Sequence, residues 1–326
     1  MPVSARSLIS EAELVQFRTR STLRGLWCVA HAWGVILLCC TALVLAPWWA
    51  WPVLVPLTVA IIGSRQLGLA ILMHEGAHGG LARNQRLNLW ISQIFCGWPI
   101  GVDTLKYRAY HFRHHAHTQS DQDPDLVLSA PFPVTPESLQ RKLLRDLTGR
   151  TGLKQRGAQF KFALGDRTAP LAQQARNLWN NLGPTLLINA FLLLAAIAAG
   201  HWWLYPLCWV VPLLTWQQAV TRIRNIAEHA VMPPDHGKLV AARTTMAGAI
   251  ERVFLAPYWV NYHAEHHLLF YIPCYHLAPL HRALMAGPHA GKLEVRQSYR
   301  EVLQLASSPK AAAQKSQAAY AGMMPL

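Results

Sequence analysis

Nine histidines fall into four short clusters: His74 and His78 in an HxxxH spacing, His111, His114 and His115 in HxxHH, His229 in NxxxH behind Asn225, and His263, His266 and His267 in a second HxxHH. Imidazole is a ligand for zinc, copper, iron and nickel alike. Residues three or four apart lie on one face of a helix. The adjacent pairs, His114 with His115 and His266 with His267, point about 100° apart around a helix. One member of each pair can then serve each of two ions, which argues for a dinuclear metal centre. Carboxylates stand beside the clusters: Glu75, Glu228 and Glu265, and after the second cluster Asp121, Asp123 and Asp125. Such groups orient the second nitrogen of a ligating imidazole, and that is the role expected of them. A turn of solvated acids around Pro124 is the plainer reading of the aspartates.

The elements that must position these residues are legible in the charge pattern. The chain of 326 residues is 52% hydrophobic and 14% charged, where an ordinary soluble protein carries about 25% charged residues. No Asp, Glu, Lys or Arg occurs from Leu26 to Ser64 or from Asn177 to Thr221. Each run is about twice the roughly 20 residues of one bilayer crossing. Two helical hairpins are therefore expected, crossing at about 27–47, 49–73, 184–200 and 202–222. Their turns, Pro47 to Trp49 and His201 to Trp203, are aromatic, as suits a membrane interface. A helix from Trp49 to His78 would be about 45 Å long against a hydrocarbon core of about 30 Å. Its end, with His74 and His78, then projects from the bilayer. The fourth helix, continued to His229, does the same. The fold expected is all-α and integral to the membrane: four transmembrane helices in two hairpins, with a helical cytosolic cap holding a His-rich dimetal site, in a single domain. The buried core of a large soluble protein is the alternative, and two separate charge-free runs of hairpin length speak against it.

Charge gives orientation. All 30 Lys and Arg residues lie outside the two runs, so the regions that carry them share one side, and the positive-inside bias makes that side cytoplasmic. A bacterial inner membrane is the expected location. The net charge of +14 finds its partner in anionic lipid headgroups; no nucleic-acid motif is present. The first apolar run is too long for a secretory signal core and lacks its cleavage site. Six cysteines show no ligand spacing and read as small buried hydrophobes. Thr135, Pro136 and Glu137 form a helix start. Leu139, Leu143, Leu144 and Leu147 recur at helical spacing among basic residues, and Gly149 offers a stop. That is a basic amphipathic helix, on the membrane surface or packed on the cap. Residues 306–326, rich in Ala, Ser and Gln, are expected to form a poorly ordered tail.

The series HxxxH, HxxHH, NxxxH and HxxHH, with hairpins between, resembles the membrane fatty acid desaturase superfamily over roughly residues 27 to 283. That superfamily includes acyl-lipid and acyl-CoA desaturases, lipid hydroxylases, carotenoid ketolases and terminal-alkene-forming decarboxylases. The resemblance implies two iron ions, O2 as co-substrate and attack on an unactivated C–H bond of a lipid or fatty acyl chain. Its ligands, carried over by position, are His74, His78, His111, His114, His115, His229, His263, His266 and His267, with Asn225 at the metal through a water. The redox task favours iron over zinc, which has no redox chemistry. Nine histidines also exceed what a hydrolytic zinc site uses. The chain has neither a cytochrome b5 signature nor a cysteine cluster for iron–sulfur, so a separate electron donor of ferredoxin or cytochrome type is expected. Fatty acyl desaturation ranks first, with lipid hydroxylation, terminal-alkene formation and carotenoid oxygenation as alternatives.

The other histidines have plainer readings. His117 is off the face of its cluster, His276 and His281 are candidates for a substrate entrance, His31 and His201 suit the membrane or its interface, and His236 and His289 suit loops. Tyr107, Tyr110, Trp216, Trp259 and Tyr262 are candidates to shape an acyl tunnel, with cap packing as the simpler role. Two rivals come from other classes. A metal transporter would place polar ligands at the bilayer midplane, whereas these clusters lie past the helix ends. A membrane zinc hydrolase would need only three or four of the nine histidines.

Overall fold

The computed structural model describes residues 5–233 and 238–308. They are helical apart from turns, loops and a two-residue parallel pairing of Thr244–Thr245 with Val295–Arg296. The chain forms two compact units: Ser21–Tyr107 with Arg145–Val220, and Met1–Arg20 with Arg108–Leu144 and Thr221–Leu326.

The first unit contains the long apolar helices. Thr22–Leu45 starts at Ser21, whose hydroxyl accepts from Arg24 N at 3.3 Å. A short turn, Trp48–Ala50, leads into Trp51–Ala77. Leu171–Ala198 is the third, and Gly200, with φ of 75°, takes the left-handed conformation after it. Among the described residues these three helices are long and apolar enough to cross a membrane. Large apolar side chains point outward: Leu37, Leu38, Trp48, Val53, Phe191 and Leu194 are all exposed. Several inward-facing polar groups pair with one another. Buried Gln66 donates to Trp209 O at 2.8 Å, Trp216 Nε1 donates to Ser64 Oγ at 3.0 Å, and Asn189 Oδ1 accepts from Tyr205 and Trp209, both at 3.0 Å. Apolar outside and hydrogen-bonded polar inside is the distribution that lipid demands.

The fourth expected crossing, 202–222, is not one helix. Tyr205–Val210 is wound as a π-helix, Val211–Leu214 is one α-helical turn, and the backbone breaks at Thr215 before Trp216–His229 begins. Pro206 and Pro212 explain it, since each removes an amide donor and crowds the preceding turn. The continuous fourth helix reaching His229 is therefore corrected to a broken segment. The first and third of these helices begin before the expected bounds, and the second runs beyond its own, because their polar ends are helical too.

In the second unit, short helices surround an apolar core in which Leu8, Leu14 and Phe17 pack with Ile272, Leu280 and Leu284. Glu11–Arg18 starts with a capping box between Ser10 and Glu13. Pro136–Leu147, which begins here, is the basic amphipathic helix expected from the sequence; Leu139 is buried, and Gly149 has φ of 77°. The helix Tyr299–Ala306 takes in the first residue of the tail expected over 306–326, and Ala306 is buried. Residues 309–326 of that tail, and His236, lie outside the described residues.

Candidate metal centre

His74 and His78 close the Trp51–Ala77 helix. Their rings are 4.8 Å apart, and the Tyr107 ring is 6.1 Å from that of His74. The helix end is pinned by Asn88, which is fully buried. Its amide donates to Gly76 O at 2.8 Å, and its oxygen accepts from Leu81 N at 2.9 Å. Gly25 lets the first helix approach this turn: a Cβ there would lie 2.0 Å from Leu81 O. Glu75 is buried on the same turn. The helix Thr104–His117 is fixed at its start in the same unit. Asp103 accepts from the amides of Leu105 and Lys106 at 2.9 and 3.0 Å, and Gln93 accepts from Thr104 N at 3.0 Å.

The second unit brings seven of the expected ligands together. His114, His229, His263 and His267 offer ligand atoms all within 4.8 Å of one another. His229 Nε2 is 2.9 Å from His263 Nε2, which is 3.1 Å from His267 Nε2. Beside them His115 Nε2 is 2.9 Å from His111 Nε2 and 3.1 Å from His266 Nε2. The rings of His115 and His267, one from each set, are 4.3 Å apart.

The other ring nitrogens set the tautomers. His114 Nδ1 donates to Asp123 Oδ1 at 2.8 Å, His229 Nδ1 to Ala241 O at 3.3 Å, and His267 Nδ1 to Thr118 Oγ1 at 3.4 Å. Thr118 in turn donates to His114 O at 2.7 Å. With the proton on Nδ1, each of these rings presents a bare lone pair at Nε2. Burial, followed by the neighbouring imidazoles, drives the pKa of His263 and of His267 well below the ordinary histidine value. Burial, followed by the neighbouring imidazole of His114, does the same to His229. Neutral imidazoles whose lone pairs converge repel one another unless a cation lies among them. Two nitrogens bound at about 2.1 Å and at right angles on one ion are about 3 Å apart, the spacing found here. The donor set therefore fits a metal, in two sets.

Carboxylates hold the frame unequally. Asp123 is buried; it also accepts from Gln119 N and Asp125 N at 2.9 and 2.8 Å. Burial works against its charge, but the His114 bond and these amides outweigh it and hold its pKa low. Asp125 is 3.7 Å from His114 Nδ1 and accepts from the Tyr110 hydroxyl. Glu228 lies 3.5 Å from His263 Nε2 and accepts from Arg224 Nε at 2.6 Å. Burial pushes its carboxyl up to about 7 against the pull of Arg224. Glu265 turns away from the imidazoles of its own cluster and accepts from Thr244 Oγ1 and, at 2.6 Å, from His281 Nδ1. Asp121 is exposed, and Asn225 lies one turn before His229 on the same helix.

His117 joins neither set, His276 packs against Phe17 with ring centroids 6.3 Å apart, and His281 serves Glu265. Of the aromatics, Tyr110 and Trp216 are engaged in hydrogen bonds and Tyr262 is buried in the core. The sequence reading missed Arg243. Its fully buried guanidinium donates to Ala230 O at 2.9 Å and Val231 O at 3.0 Å, and so caps the helix that ends at His229. An arginine 14 residues downstream of a cluster leaves no spacing signal; the same is true of His281 and Thr118.

The family model described as Fatty acid desaturase matches residues 46–299. The chain is similar to Dihydrorhizobitoxine desaturase of Bradyrhizobium elkanii, 27% identical over 276 residues, 81% of this chain and 76% of that one. It is also similar to Beta-carotene ketolase of Paracoccus sp. (strain PC1), 24% identical over 256 residues, 77% of this chain and 86% of that one.

Proposed function

Because this chain belongs to the fatty acid desaturase family, we propose that it is an O2-dependent diiron oxidoreductase that desaturates a fatty acyl chain. The observation that carries the reading is the pair of imidazole sets with Nε2 atoms 2.9 to 3.1 Å apart. One ion would be held by His114, His229, His263 and His267. The other would be held by His111, His115 and His266, with His74 and His78 added because they stand one turn apart at a helix end and match the family's first cluster. Asn225 would reach an ion through a water. When bound, the irons supply the reduction of O2 and the removal of hydrogen from an unactivated methylene. The chain's own part is to hold the ligands and exclude water. Asp123, Ala241 and Thr118 fix three tautomers, Glu228 and Arg224 flank His263, and burial favours the neutral form of His229, His263 and His267. Electrons come from a separate donor of ferredoxin or cytochrome type.

The same reading bears on topology. His114 precedes the Leu171–Ala198 helix and His229 follows it, yet both contribute to one set. A chain that leaves that side of a membrane must return to it, and the broken segment from Tyr205 to Leu214 is the stretch available. This supports four crossings, with the metal centre on the cytoplasmic face, by the distribution of basic residues. The ketolase relative favours a second reading, oxygenation of a carotenoid ring.

The test is mass spectrometry of lipids, carotenoids and volatile hydrocarbons from a host expressing the chain or its His267→Ala variant. New double bonds in acyl chains, absent with the variant, are expected. A keto-carotenoid with unchanged acyl chains would replace the first reading by the second.

A further inference from the structure

The Leu171–Ala198 helix changes character within two turns: Asn177, Asn180 and Asn181 give way to Leu182, Leu186 and Leu187 and an apolar run. Trp179, exposed on the polar side of that change, is the residue type that favours a water–lipid boundary. A cavity of about 160 Å³ opens there, lined by Trp98, Lys106, Gln159, Phe162, Asn181 and Thr185 among others. Beside it, the helix Arg150–Leu164 exposes Leu153, Phe160 and Phe162 among Arg150, Lys154 and Lys161. Apolar and basic side chains on one open helix suit the headgroup layer of an anionic leaflet.

The cavity is lined by one ammonium and one carboxylate, and the two differ in what they have left to offer a ligand. Lys106 Nζ donates to Asn181 Oδ1 at 2.9 Å, and an ammonium carries three donors. Asp103 lines the cavity too, but its oxygens are already engaged. One accepts from the amides of Leu105 and Lys106 at 2.9 and 3.0 Å, and the other accepts from Gln93 Nε2 at 2.9 Å. We propose that this cavity binds the phosphate headgroup of an anionic phospholipid. Lys106 is its counter-ion, and the acyl chains run along the apolar part of the Leu171–Ala198 helix. The volume suits a headgroup and is too small for a whole acyl chain, so the site is an anchor for lipid and not the substrate tunnel. The inference rests on the membrane reading of the family and is independent of which reaction the chain catalyses.

The full chain, purified in mild detergent, is titrated with phosphatidylglycerol or phosphatidylcholine, and bound lipid is counted by native mass spectrometry. One phosphatidylglycerol is expected to bind tightly, about tenfold more weakly to Lys106→Gln and less than about twofold more weakly to Lys154→Gln. Asn181→Asp, which gives Lys106 a carboxylate partner inside the cavity, is expected to weaken binding about as much as Lys106→Gln. Equal weakening by Lys154→Gln would reduce the effect to a diffuse surface field and overturn the site. Phosphatidylcholine binding as tightly as phosphatidylglycerol would also overturn it. So would displacement of the lipid by millimolar inorganic phosphate, which would mark a site for free anions.

Discussion

At the scale of the residue, the chemistry depends on which imidazole nitrogen keeps its proton. Asp123, Ala241 and Thr118 hold the Nδ1 protons of His114, His229 and His267, so that the lone pairs at Nε2 meet. Asp123→Asn keeps the shape and removes the charge; it is expected to weaken iron retention about 10- to 100-fold, read as the rate of iron loss to a chelator. Retention equal to wild type would mean that the carboxylate only braces the loop after His117. Glu265 is held by His281 and Thr244 and buried completely. His281→Ala leaves that carboxylate short of a donor and should cost about 1 to 3 kcal/mol of stability, seen as a lower unfolding temperature, with His281→Gln recovering part of it. The imidazole clusters were legible in the sequence because their members recur at helical spacing. Their supports were legible only when near in sequence, as Asp123 is to His114. Glu265 looked like a support for the imidazoles at its sides, but it faces the opposite way around its short helix.

At the scale of the element, two of the helix ends that carry imidazoles, those at His74–His78 and at His229, are each held by a residue from elsewhere in their own unit. Arg243 caps the helix ending at His229 through Ala230 O and Val231 O. Arg243→Met would leave the buried carbonyls of Ala230 and Val231 without their donor and Glu294 with Arg296 alone, at a cost of about 3 kcal/mol or more; the expected outcome is aggregation in detergent at temperatures where wild type elutes as one species. Gly25→Ala would drive a Cβ into Leu81 O at 2.0 Å. Overpacking of that kind costs about 1 to 3 kcal/mol, and a loosened turn after His78 should show as faster backbone hydrogen exchange over residues 79–83. The positions of the long helices were legible because lipid excludes charge, and a charge-free run is visible without any structure. The break at Thr215 was not, because hydropathy ignores how Pro206 and Pro212 disturb the helical ladder. Nor was the Tyr299–Ala306 helix foreseen; it was the short element that enters a stretch read as tail.

At the scale of the whole molecule, an even number of membrane crossings and a two-ion centre are one claim seen twice. If the broken segment from Tyr205 to Leu214 returns the chain, tags at residues 2 and 308 should be reached by an impermeant label from the same side of oriented vesicles. Labelling from opposite sides would leave three crossings and part His229 from His114. The most direct measurement is the metal content of the purified, anaerobically iron-loaded chain, by elemental analysis with Mössbauer spectroscopy, beside the His267→Ala and His115→Ala variants. Two irons per chain are expected, coupled to each other in the oxidised form, with each variant losing at least one and all new double bonds in host lipids. A single zinc per chain, or two irons undiminished in both variants, would contradict the assignment of these imidazoles to two redox-active ions.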